Sequence, residues 1–142
     1  MRRSPTRSPL LLLATLLGGD LLVFVVFATL GVQTHDEEDA VLTVVRAGAP
    51  FALSWFVVGT LLGVYRRGLW SNARRTLLFV PLAWAASDAV ALIGRSMWLG
   101  NAIVPSFALV TFAFVAGLMT LWRAAFALTL GRVDARTTIE KT

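Results

Sequence analysis

The stretch LLLLATLLGGDLLVFVVFATLGV, residues 10–32, carries one charge, Asp20, in 23 residues. About 20 apolar residues in helical conformation cross the hydrocarbon core of a bilayer. The run therefore reads as a membrane span. Arg2, Arg3 and Arg7 precede it and would also suit the basic region of a signal peptide. A signal peptide has an apolar region of only about 7–15 residues, ending at a small-x-small cleavage site. This run is longer, and no Ala-x-Ala follows it, so it is expected to stay as the first span.

Three more runs follow. Val41 to Tyr65 holds Arg46 near its start and Pro50 inside it. Proline removes a backbone donor and crowds the preceding turn, which predicts a kink or a restart there. The segment before Pro50 could then be interfacial, with the span proper beginning at Pro50. Thr76 to Trp98 contains Pro81, Asp88 and Arg95. Ala102 to Trp122 has no charge, and Arg123 closes it, with the helix expected to fade by Leu130. The predicted organisation is a basic N-terminus (1–9), a transmembrane domain (10–130, with spans at 10–32, 41–65, 76–98 and 102–122) and a polar tail (131–142). Short connections make successive spans antiparallel neighbours. The expected fold is an all-α, up-down four-helix transmembrane bundle.

The composition agrees. Of 142 residues, 57% are hydrophobic and 15% charged, against roughly 45–50% and about 25% in soluble domains. The mean hydropathy is +0.75. The net charge of +5 does not point to nucleic acid, because the arginines flank apolar runs and line no face interleaved with aromatics. There is no cysteine and only one histidine. That excludes disulfides, thiolate nucleophiles and a multi-histidine metal site within one chain.

Arginine and lysine bias across short loops sets orientation. Arg2, Arg3 and Arg7, then Arg66, Arg67, Arg74 and Arg75, then Arg123, Arg132, Arg136 and Lys141 fall on one side; Arg46 and Arg95 fall on the other. Both termini and the middle loop are expected to be cytoplasmic, in a multi-pass protein of the cytoplasmic (inner) membrane. The acidic stretch Asp36–Asp39 would lie outside. Tyr65, Trp70, Trp122 and Trp98 stand where interfacial aromatics belong.

Ionisable residues inside spans usually face the bundle interior or a water-filled cavity. Asp20 lies about 15 Å of rise beyond Leu10, and Asp88 about 18 Å beyond Thr76. Both are expected near mid-membrane on opposed helices, as a shared proton or cation site. The alternative is that each is neutral and hydrogen-bonded to a hydroxyl or backbone group, and Asp→Asn is then expected to preserve folding. Trp84, Asp88, Ala91 and Arg95 share one helical face. Arg95 leans inward toward Asp88, or else snorkels at the outer interface. His35 and Arg46 are candidates for the outer mouth, His35 as a proton relay or a solvated loop residue. Gly18-Gly19 and Gly59-x-x-x-Gly63 are candidates for close helix packing.

Two enzyme classes fit poorly. Intramembrane aspartyl proteases carry Gly-x-Gly-Asp and Tyr-Asp, whereas here the residues are Leu17-Gly18-Gly19-Asp20 and Ser87-Asp88. A lipid-directed enzyme would need a nucleophile and a base, and no such set is evident. The chain is read as a non-enzyme with no cofactor and no metal.

Asp20, Gly31 to His35, Pro50-Phe51, Trp55, Trp84 to Arg95 and Trp122-Arg123 together resemble a family of short prokaryotic membrane proteins known as domain of unknown function 3054. The resemblance runs from about Leu16 to Ala124. Val32 stands where the family pattern has a basic residue. The resemblance implies four spans and no established activity. The leading expectation is a small permease or channel-like protein with Asp20, Asp88, Trp84 and Arg95 at its site; the alternative is a non-catalytic accessory or scaffold protein. The bilayer is the partner, with a homo-oligomer or a second membrane protein completing any pathway.

Overall fold

The computed structural model describes residues 8–32 and 40–139. Among the described residues every regular element is helical: α1 (Pro9–Val32), α2 (Ala40–Ser54), a π-helical turn (Trp55–Gly59), α3 (Thr60–Leu62), α4 (Arg67–Trp70), α5 (Ala73–Leu99) and α6 (Pro105–Ile139). Four stretches are long and apolar enough to cross a membrane: Pro9–Gly31, Val41–Leu62, Ala73–Leu99 and Pro105–Leu130.

The helix boundaries follow from local chemistry. Ser8 and Pro9 open α1, with Pro9 at the first helical position, where its missing N–H costs nothing. Asn72 caps α5: its side chain accepts from the Arg75 N–H at 3.1 Å. Gly100 ends α5 at φ 66°.

The second span departs from expectation. The helix runs through Pro50 without a break, as prolines are tolerated in transmembrane helices where neighbouring groups re-satisfy the freed backbone. The irregularity comes five residues later, at the π turn. The span then closes on Gly63, whose φ of 83° no other residue adopts cheaply. The Val64 N–H returns to the Gly59 carbonyl at 2.9 Å, and the Gly63 N–H to Thr60 at 3.0 Å. This is a Schellman stop. Gly59 and Gly63 therefore shape one chain end. A Cβ on either would meet Val64, Trp55 or Arg66, all from the same segment.

The four spans form a ring in which each packs against its neighbours in sequence, and the fourth against the first. Leu, Val and Ile side chains cover the outside: Leu22, Leu61, Leu78, Leu82 and Leu109 are all exposed. The inside is aromatic and polar, with Phe24, Phe51, Trp55 and Trp84 at its centre. This inversion suits a chain whose solvent is hydrocarbon. α6 extends to Ile139, past the expected end at Leu130; Gly131 does not stop it.

Candidate functional site

The second span's ending decides what surrounds Asp20. The Schellman turn sends the chain back toward the bundle and presents the Val64 carbonyl and the Tyr65 ring inward. Trp70 holds this return by donating its indole N–H to the Tyr65 carbonyl at 2.9 Å. Phe56 stacks on Tyr65, with ring centroids 6.4 Å apart.

Asp20 is fully buried, and so is Arg123 from α6. Arg123 Nε donates to Asp20 Oδ1 at 3.0 Å. Its Nη2 donates to Oδ2, completing a two-pronged ion pair. Asp20 Oδ2 also accepts from Trp55 Nε1 at 3.0 Å and from the Tyr65 hydroxyl at 2.8 Å. Arg123 Nη1 donates to the Val64 carbonyl at 2.9 Å. The guanidinium lies 5.1 Å from the Trp55 ring centroid and 4.8 Å from that of Tyr65. These are cation–π distances. The carboxylate thus accepts four bonds, and the cation has an anion, a carbonyl and two aromatic faces. Beside it, Trp122 packs onto α1 at Gly19. A Cβ there would lie 2.0 Å from the indole. Of the Gly18-Gly19 pair expected to allow close packing, Gly19 serves that purpose, and Gly18 has nothing within 4 Å.

Asp88 is also buried, at 5% exposure, but its surroundings differ. Among the described residues its Oδ1 has no hydrogen-bond partner, and neither has the Trp84 indole N–H. The Thr111 hydroxyl of α6 neighbours Asp88 and donates to the Ala108 carbonyl at 2.9 Å. At the residue before Asp88, the Ser54 hydroxyl donates to the Ser87 carbonyl at 2.6 Å. Trp84 sits among Phe24, Phe51 and Trp55, with centroids 5.6, 6.4 and 6.1 Å away.

The two acids therefore do not share a site. Arg123 and Thr111 are twelve residues apart on α6, about 18 Å of helical rise. Counting residues from the apolar run ends put both acids at one depth; their partners on α6 separate them. Nor does Arg95 reach an acid among the described residues. Its guanidinium lies 5.2 Å from the Phe107 ring centroid, at the turn between α5 and α6. Arg46 is exposed near the start of α2. His35 lies outside the described residues. Among the described residues, no three His, Cys, Asp or Glu side chains come together as a metal-ligand set.

Sequence reasoning missed Arg123, Trp55, Tyr65 and the Val64 carbonyl. Arg123 was counted as the basic end of the fourth span and Tyr65 as an interfacial anchor. One signal was present: the apolar run resumes after Arg123 with Ala124-Ala125-Phe126-Ala127-Leu128. That makes Arg123 an internal cation, and an internal cation needs an internal anion.

A profile described as "Protein of unknown function (DUF3054)" matches residues 17–126. The chain belongs to the DUF3054 family. The match includes Asp20, Trp55, Tyr65, Asp88 and Arg123, so both polar centres fall within the family's own segment. No curated protein and no solved structure matches the chain. Membership of DUF3054 brings no activity with it.

Proposed function

We propose that this DUF3054 chain is a non-catalytic accessory or scaffold protein of the cytoplasmic membrane. It would be an antiparallel bundle with both termini cytoplasmic, locked internally by Asp20 and Arg123. One observation carries the reading: the Asp20 carboxylate accepts four hydrogen bonds from fixed groups of the chain itself. A carrier site must exchange its ligands. Here Arg123, Trp55 and Tyr65 already fill the places a cation, proton or water would take. Orientation rests on the arginine bias.

A flux assay in liposomes holding the full chain tests the proposal. No proton or monovalent-cation flux dependent on Asp20 is expected. Flux above that of protein-free vesicles, lost in an Asp20→Asn variant that still folds, would overturn it.

A second reading has its own observation. The unpartnered Asp88 Oδ1, near an equally unpartnered Trp84 N–H on the same helical face, leaves room for a permease whose proton or cation site is Asp88 alone. Flux abolished by Asp88→Asn and untouched by Tyr65→Phe would favour that reading.

A further inference from the structure

A cleft of about 270 Å³ opens where α5 turns into α6, lined among others by Leu92, Arg95, Ser96, Asn101, Val104 and Phe107. We propose that this cleft binds an anionic phospholipid, its phosphate paired with the Arg95 guanidinium.

The argument begins with the mismatch between the cleft's walls and its charge. Leu92, Val104 and Phe107 are apolar, and Arg95 is the cation among the lining residues. The guanidinium is half-buried and lies against the Phe107 ring at 5.2 Å. The ring occupies one of its faces and leaves its edge, which carries the N–H donors, for a ligand. A guanidinium edge matches a phosphate by two parallel hydrogen bonds. Ser96 and Asn101 supply neutral polar groups beside it. The Ser96 hydroxyl donates to the Asn101 carbonyl at 2.6 Å, which fixes the turn that forms the cleft's rim.

Size and surroundings then select the rest of the ligand. The cleft has about 270 Å³ of space. That accommodates a phosphate and its polar headgroup, while acyl chains would have to lie outside. The surface outside is suited to them: Met97, Trp98, Leu99, Ile103 and Val104 are all exposed around the opening. Exposed tryptophan at a span's end belongs at headgroup depth. A net negative headgroup is favoured over a zwitterionic one, because Arg95 is then not shared with the lipid's own cation.

The test uses the full chain in nanodiscs containing a photoactivatable phosphatidylglycerol labelled in its headgroup, with labelled peptides mapped by mass spectrometry. Labelling is expected on residues 92–107, falling at least fivefold in Arg95→Gln and unchanged in Arg46→Gln. Arg95→Lys, which keeps the charge but not the two-pronged edge, should retain labelling between that of wild type and Arg95→Gln, and this variant guards against a folding defect in the neutral one. The matching phosphatidylcholine probe should label the segment at least fivefold less. Equal labelling by both probes, or equal labelling of wild type and Arg95→Gln, would reduce the cleft to an ordinary lipid contact and overturn the proposal. Displacement of the lipid probe by millimolar inorganic phosphate would also overturn it, assigning the cleft to a free anion.

Discussion

Asp20→Asn should destabilise the bundle, although it changes the side chain by little more than a charge. Asparagine keeps one carbonyl oxygen and replaces the other with an NH₂. Around Asp20 every neighbouring polar group is a donor: Arg123 Nε and Nη2, Trp55 Nε1 and the Tyr65 hydroxyl. The new NH₂ therefore faces donors, and Arg123 keeps its charge with no anion beside it. Breaking a buried pair from one side costs about 3–5 kcal/mol. The Trp55 and Tyr65 rings still attract the guanidinium, recovering roughly 1 kcal/mol. The expected net loss is about 2–4 kcal/mol. Arg123→Gln, which also removes the cation–π contacts, should cost about 3–5 kcal/mol. Replacing both residues with apolar ones, as in Asp20→Leu with Arg123→Met, should cost far less than the two single changes together, because neither charge is then stranded. Equilibrium unfolding of the purified chain in mild detergent, followed by near-ultraviolet circular dichroism, measures wild type, Asp20→Leu, Arg123→Met and their combination as the four corners of a cycle, with Asp20→Asn and Arg123→Gln beside them. If Asp20→Asn lies within about 0.5 kcal/mol of wild type, or if the apolar pair is simply additive, the buried ion pair is not what holds these helices together.

Tyr65→Phe removes one of four donors to Asp20 and should cost about 1–2 kcal/mol in the same unfolding assay, with Arg123 still paired. Gly19→Ala places a Cβ where the Trp122 indole lies and should cost about 1–3 kcal/mol through overpacking, with a change in tryptophan emission as Trp122 shifts. Reporter fusions after Trp70 and at the C-terminus should read cytoplasmic, and a fusion near Glu38 external; an external C-terminus would defeat the antiparallel bundle.

The four spans were legible because each is a long apolar run bounded by charge, glycine or proline, and those signals are local. The buried position of Asp20 was legible for the same reason, since a carboxylate in hydrocarbon has few places to go. Its partner was not. Arg123 lies 103 positions away and looks, by position, like every other arginine that flanks a span. Trp55 and Tyr65 reach Asp20 only because a π turn and a left-handed glycine rotate and reverse the chain between them. The intended Asp20–Asp88 pairing failed on depth. Rise counted from the ends of apolar runs does not say which level of α6 each acid meets, and Asp20 meets it at Arg123 whereas Asp88 meets it at Thr111. The expectation that Asp→Asn would preserve folding assumed an acid without a cation; with Arg123 in place, the sign reverses at Asp20.

The contrast between the two acids bears on function more than either does alone. Asp20 has its donors supplied from the end of the second span and from α6, two segments far apart in sequence, so its charge is neutralised only when both have come together against α1. Such a group makes assembly conditional on correct packing, and polar groups in lipid serve this purpose without any cargo. Asp88 has the opposite character: it is buried in an aromatic and hydroxyl-lined core, and its Oδ1 finds no hydrogen-bond partner among the described residues. Burying an acceptor unsatisfied costs about 1–3 kcal/mol, and a bundle already secured by Asp20 and Arg123 can bear that cost. If this chain exchanges a proton, a water or a cation with anything, the exchange belongs at Asp88, and the lock at Asp20 is what would permit it.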